Sequence, residues 1–196
     1  MYSKYDITTA KWGEVKEMGH YDMAILPWGA TEPHNLHLPY CTDMLTAQAV
    51  AFEVAEKAAM QGVNLMVLPG IPLGSQNPGQ IELPYCIHTS QTTQMAILRD
   101  VVRSLKRQGI RKLMIMSGHG GNNFKGIIRD IMIEDPEMII VHNEWFAIIP
   151  RTDYFEEKED DHAGELETSV MLHYYPDLVR MDLAGDGQFS KFGIEG

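Results

Sequence analysis

The sequence predicts an α/β fold of three layers, a mostly parallel sheet with helices on both faces. Two observations carry the prediction. Four short apolar runs alternate with longer segments of helical periodicity, and the residues just beyond the runs are conspicuously polar. At 196 residues the chain suits one buried core, so residues 1–196 are expected to form a single domain.

The apolar runs Met23–Leu26, Leu65–Leu68, Lys112–Met116 and Met138–His142 each stop at Pro, Gly or polar residues, as buried strands do. Between them, Thr42–Gln61 is alanine-rich with Leu45, Ala49, Phe52 and Ala55 on a helical period. Thr89–Gln108 carries Met95, Leu98, Val101, Val102 and Leu105 in the same way. A third helix is expected after Asn122, and a fourth from about Ala163 to Tyr175, stopped by Pro176. Strand and helix in alternation imply right-handed crossovers, and ligands of such sheets bind beyond the carboxyl ends of the strands.

Composition narrows the function. Asp and Glu number 27 against 16 Lys and Arg, a formal charge of -11, which disfavours nucleic acid as a partner because polyanions need basic patches. No apolar run reaches the roughly 20 residues of a membrane span, and Met1–Ala10 is too polar for a signal peptide. A cytoplasmic protein without a membrane partner is expected. Cys41 and Cys86 lack CxxC spacing and are expected as free thiols. The charge run Phe155–Asp161 reads as a solvated loop or, since it adjoins His162, a lid; the glycine-rich tail after Leu183 shows no periodicity.

Three clusters carry chemistry. GATEPHNLHLPYCTD places Glu32, His34, His37 and Asp43 within twelve residues, a cysteine-free donor set suited to Zn, Mn or Fe in a hydrolytic site. Glu32 and His34 share a face in extended backbone. His37 reads equally as a ligand or as a histidine fixing its loop, and is left off the ligand set. Asp43 opens a helix, where it either caps backbone N–H groups or bridges two cations about 3.5–4 Å apart. SGHGGNN follows the third strand; it lacks a phosphate-loop pattern, so His119 reads as a ligand beside Glu32 and His34. In DDHAGELETS, His162 and Glu165 lie one helical turn apart, while Glu167 points elsewhere if the helix has begun. Both glutamates also suit a helix N-terminus electrostatically, at about 0.3–1 kcal/mol each.

LPWGATEPHNLHLPYCTD, SGHGGNN and HAGELETSVMLHYYPDLV, in this order, resemble the creatininase (creatinine amidohydrolase) family from about Ile25 to Val179. The resemblance implies two divalent ions per subunit, Zn foremost with Mn or Fe as alternatives, held by Glu32, His34, His119 and a bridging Asp43. Creatininase carries a glutamate where this chain has Gly121, so the chain resembles the GHGGN-loop branch, and Glu165 is the expected fifth ligand. His162 matches the histidine that protonates the leaving nitrogen, and Glu167 is expected to act catalytically, beside the ligands or against substrate.

Pro33, Asn35 and Pro84-Tyr85-Cys86 depart from the family pattern and alter the pocket wall, with Trp28 and Trp145 available to stack on a flat substrate or to pack. The implied reaction is hydrolysis of a cyclic amide or formamide-type C–N bond in a small molecule; the alternatives are a two-metal phosphoesterase or a non-catalytic metal-binding assembly protein. The family also implies a homo-oligomer, a hexamer, and further C-terminal residues after the region ending at Gly196.

Overall fold

The computed structural model describes residues 5–148, 150–156 and 162–185. Strands β1 (Met23–Trp28), β2 (Leu65–Val67), β3 (Lys112–Ser117) and β4 (Ile139–Glu144) form one parallel sheet in the order β2-β1-β3-β4. Ala24 of β1 pairs with Met66 on one side and Leu113 on the other, and Leu113 in turn with Ile140. The expected α/β architecture is present.

β1 runs two residues past its expected end, through Pro27. Proline withholds one ladder donor, yet its carbonyl accepts from Ile71 N at 3.0 Å and that of Trp28 from Gly118 N at 2.9 Å. The extension brings Gly29 and Glu32 to the carboxyl edge of the sheet beside the end of β3.

Helices α2 (Thr42–Ala59), α3 (Gln91–Arg107), α4 (Lys125–Glu134) and α5 (Glu165–Tyr174) occupy the expected periodic segments, and a seven-residue α1 (Trp12–Met18) precedes them without a counterpart in the sequence pattern. Helix α1 buries no residue fully and meets the core only through Val15 and Met18, too short a pattern to read; it starts where Glu14 accepts the Lys11 N–H at 2.8 Å and stops at Gly19, whose φ is 69°.

The two faces of the sheet are covered differently. Alanines 47, 51 and 55 of α2, spaced four apart, let the helix lie close over Ile25, Leu65, Val67 and Met116. On the other face, Leu98, Val102 and Leu105 of α3 and Ile127 and Ile131 of α4 pack against Ala24, Leu26, Leu113, Ile115 and Ile140. Each such buried aliphatic contributes about 1.5–3 kcal/mol. Helix α2 does not reach over β4, whose Ile139 and Val141 stay exposed.

Trp28 is buried, edge-on to Phe124, and donates its Nε1–H to Leu73 O at 2.7 Å, so it packs the core. Trp145 packs against the cluster that α2 forms with the sheet. Cys41 and Cys86 are unpaired, and no described helix is long and apolar enough to cross a membrane. Residues 157–161 of the charged run and 186–196 of the tail lie outside the described residues.

Candidate metal centre

Three buried segments meet at the carboxyl edge of the sheet. The loop after β1 brings Glu32 and His34, the first turn of α2 brings Asp43, and the loop after β3 brings His119. Close approach depends on glycine: a Cβ on Gly118 would stand 2.1 Å from the backbone O of Asp43, so only a residue without a side chain lets β3 end against the start of α2.

Asp43 occupies the first turn of α2 but does not cap it. Its Oδ1 lies 2.7 Å from His34 Nε2 and its Oδ2 lies 3.1 Å from His119 Nδ1, so the carboxylate spans two imidazoles. His119 Nδ1 is also 3.0 Å from Glu32 Oε1.

Backbone carbonyls fix both rings. His34 Nδ1 lies 3.0 Å from Glu32 O, and His119 Nε2 lies 2.7 Å from Ser75 O. A carbonyl only accepts, so these nitrogens carry the protons. The opposite nitrogens, His34 Nε2 and His119 Nδ1, therefore aim at carboxylate oxygens, a contact that is favourable only with a proton or a cation between the two atoms. Imidazoles that ligate metals are held by their second nitrogen in this way.

The expectation is Glu165 as the residue completing the set, with Glu167 beside the ligands or against substrate. The structure brings in Glu167 instead. Helix α5 begins only at Glu165, after Gly164 as N-cap, so His162 sits in the preceding loop and not one helical turn below Glu165. Ala163, at φ 53°, turns the chain and donates its N–H to Glu167 Oε2 at 2.5 Å. Glu167 Oε1 then lies 3.9 Å from His34 Nε2, whereas Glu165 Oε2 accepts the N–H of Glu156 at 2.9 Å. His37 reaches Thr168 Oγ1 through Nε2 at 2.9 Å and ties the β1 loop to α5.

Among the described residues, donor atoms converge in three groups: Glu32, Asp43 and His119; His34, Asp43 and Glu167; and Glu32, His34 and His162. Asp43 belongs to the first two. His162 stacks on His34 with ring centroids 4.3 Å apart, its Nε2–H directed at Pro33 O (2.7 Å) and its Nδ1 4.0 Å from Glu32 Oε1. It is more exposed than the rest and stands at the open side of the cluster.

The electrostatics are those of a cation site. Glu32, Asp43 and Glu167 gather here, and among the described residues their ion-pair partners within 4 Å are all histidines. Glu32 Oε2 is buried with no hydrogen-bond partner, and Asp43 Oδ2 is buried facing the His119 ring. Orphaning a buried charge costs about 3–5 kcal/mol, so this arrangement calls for positive charge.

Burial disfavours the imidazolium of His34, but the facing Asp43, together with Glu167 and Glu32, outweighs it and raises the pKa to about 9. His119 is raised to about 10 by Asp43 and Glu32 against the same burial penalty. Burial pushes Asp43 upward, yet His34 and His119 hold it well below the usual carboxylate range, while Glu167 is raised, chiefly by burial. A field that retains protons on two imidazoles also attracts divalent cations in their place. The oxygen and nitrogen donors, unpartnered lone pairs and net negative charge fit divalent metal.

Known proteins share this arrangement of chain. The family model described as creatininase, creatinine amidohydrolase, matches residues 8–196. The creatinine amidohydrolase of Pseudomonas putida is 30% identical over 181 residues, covering 83% of this chain and 68% of its own. The mycofactocin precursor peptide peptidase of Mycolicibacterium smegmatis is 30% identical over 162 residues, covering 82% of this chain and 61% of its own. The chain thus spans about two thirds or less of these two relatives.

Among solved structures, a Bacteroides fragilis protein assigned as a creatinine amidohydrolase superimposes with a TM-score of 0.95 at 55% identity, covering 99% of this chain and 77% of its own. A creatininase variant in a Zn–Zn form gives 0.79 at 26% identity, covering 98% and 82%.

Proposed function

The chain belongs to the creatininase family, and from that premise and its carboxylate–histidine centre we propose that it is a dinuclear metal-dependent amidohydrolase. Its substrate is a small molecule with a cyclic amide or formamide-type C–N bond. The observation that carries the reading is the sharing of Asp43 between two donor groups, one oxygen directed to each imidazole.

Glu32, Asp43 and His119 would hold one cation, and His34, Asp43 and Glu167 the other. Glu167 takes the place that the sequence pattern gives to Glu165, whose carboxylate is engaged at Glu156 N. When bound, a cation pair supplies Lewis acidity toward the amide carbonyl and brings the pKa of a water near neutrality.

The chain's own residues supply proton transfer and orientation. With Nε2–H directed to Pro33 O, His162 presents Nδ1 to the cluster, and this atom takes up the proton released by the attacking water and delivers it to the departing nitrogen. An amine leaves poorly as an anion, so this transfer decides whether the C–N bond breaks. His34, stacked against His162, keeps that ring in place. Glu167 both closes the second donor group and, through Ala163 N, fixes the turn carrying His162.

Turnover of a panel of small cyclic amides, formamides and phosphoesters, measured with Zn²⁺, Mn²⁺ or Fe²⁺ after chelation, tests the proposal. Metal-dependent cleavage within the amide set is expected. Activity confined to the phosphoesters would overturn the bond assignment, and activity indifferent to chelation would overturn the metal reading.

A further inference from the structure

Behind the donor set lies a polar chain with no part in the proton transfer. Gln94 of α3 is buried, and its Nε2 lies 3.0 Å from Ser75 Oγ, 3.2 Å from Thr89 O and 3.2 Å from Asn122 Oδ1. Thr89 O can only accept and Asn122 Oδ1 accepts as well, so the atom facing them is the NH2 group and the carboxamide has one workable orientation. Its Oε1 has no partner.

Asn122 is fixed in turn. Its Oδ1 accepts the N–H of Ser75 at 3.1 Å, and its Nδ2 donates to Gly29 O at 3.2 Å. Three loops are thereby pinned together: the one leaving β1 at Gly29, the one after β2 at Ser75, and the one leaving β3 with His119 and Asn122. The carbonyl of Ser75 is the group that receives His119 Nε2–H at 2.7 Å.

That carbonyl sits where no side chain at position 121 is tolerated, since a Cβ on Gly121 would stand 2.5 Å from Ser75 O and 2.6 Å from His119 Nε2. The contact therefore belongs to the glycine form of this loop.

We propose that Gln94 and Asn122 are positioning residues that hold the Ser75 carbonyl and so aim His119 Nδ1 at Glu32 and Asp43, setting the cation affinity of that half of the centre. The inference rests on the two-cation reading. Groups that orient ligating imidazoles control affinity about 10–100-fold when altered. Neither residue contacts His34 or Glu167, and although Asn122 also holds Gly29 O at the root of the β1 loop, only His119 is oriented directly by the Ser75 carbonyl, so the main effect falls on that half. A purely structural role for the same network would lower stability without separating the two halves.

The test is titration of the metal-free chain with Co²⁺, following ligand-field absorption, for the parent, Gln94→Met and Asn122→Ala. The parent should take up two equivalents. Each variant should bind one of them about 10–100-fold more weakly with an altered spectrum, and the other as before. Glu167→Gln identifies the halves, because it should loosen the equivalent that the positioning variants leave intact. Asn122→Ala removes the Oδ1 acceptor of Ser75 N at a second point of the network, so it reports even if Gln94→Met folds poorly. Equal weakening of both equivalents, or a lowered melting temperature with both affinities unchanged, overturns the inference while leaving the metal reading in place. A parent that takes up no Co²⁺ overturns the metal reading itself, before any variant is made.

Discussion

Glu32, Asp43 and His119 stand at the ends of β1 and β3 and in the first turn of α2, whereas the second donor group needs α5, which enters from outside the sheet to deliver Glu167. The first half is braced by the core: β1 and β3 are paired along their length, and Gly118 lies against Asp43. The second half depends on a single tight turn at Ala163 and on the His37–Thr168 contact that ties α5 to the β1 loop. Sheet-built donor groups are placed by the fold itself, while the helix-delivered one is placed by a few local contacts, so the two halves should respond differently to mutation. Asp43 is where they join.

Asp43→Ala should have the largest effect. It removes an oxygen from each group, so metal analysis should find both ions lost and turnover reduced by more than the about 10²–10⁴-fold typical of a missing proton donor. Retention of one ion would show that the halves do not share this carboxylate.

His162→Ala comes next, with an about 10²–10⁴-fold fall in kcat and metal content unchanged, because this histidine stands at the open side of the cluster. Comparing Glu167→Gln with Glu165→Gln then sharpens the second half: the first should release one ion, and the second should leave stoichiometry and affinity as in the parent. The opposite pattern would return the ligand role to Glu165.

The pH response distinguishes the metal-free from the loaded protein. His34 and His119 have folded pKa values raised to about 9 and 10, above an unfolded value of about 6.5. Their contribution to metal-free stability is fully present below about pH 6.5 and is lost as pH rises through 9 and 10. Thermal melts of the chelated protein should therefore fall across that window. Bound cations displace those protons, so the loaded protein should lose this decline, and metal affinity should weaken as pH drops. The smallest effect is expected from Thr168→Val, which removes the hydroxyl facing His37 and should cost about 1 kcal/mol in denaturant melts.

The same division governs what the sequence reveals. Strand order aside, the sheet and four of the five α-helices are legible in apolar runs and helical periods, because burial on both faces imposes those patterns. Glu32, His34, Asp43 and His119 are legible because a parallel sheet gathers the residues just beyond its strand ends. Glu167 is legible as a site residue through the resemblance but not as a metal donor, since helical spacing counted from His162 turns it away, whereas the helix starts at Glu165 and Ala163 adopts a left-handed conformation that alanine does not advertise. The Gln94–Asn122–Ser75 chain is invisible for another reason. Its three members lie on separate segments, and a glutamine within an amphipathic helix reads as a surface residue. Asn122, within SGHGGNN, likewise reads only as part of a loop.

The most direct measurement is a crystal structure of the chain loaded with Mn²⁺ or Zn²⁺, with anomalous scattering recorded at the metal edge. Two peaks about 3.5–4 Å apart are expected to flank the Asp43 carboxylate, one against Glu32 and His119 and the other against His34 and Glu167. A single peak, or a second ion coordinated by Glu165 without Glu167, would contradict the shared-carboxylate centre.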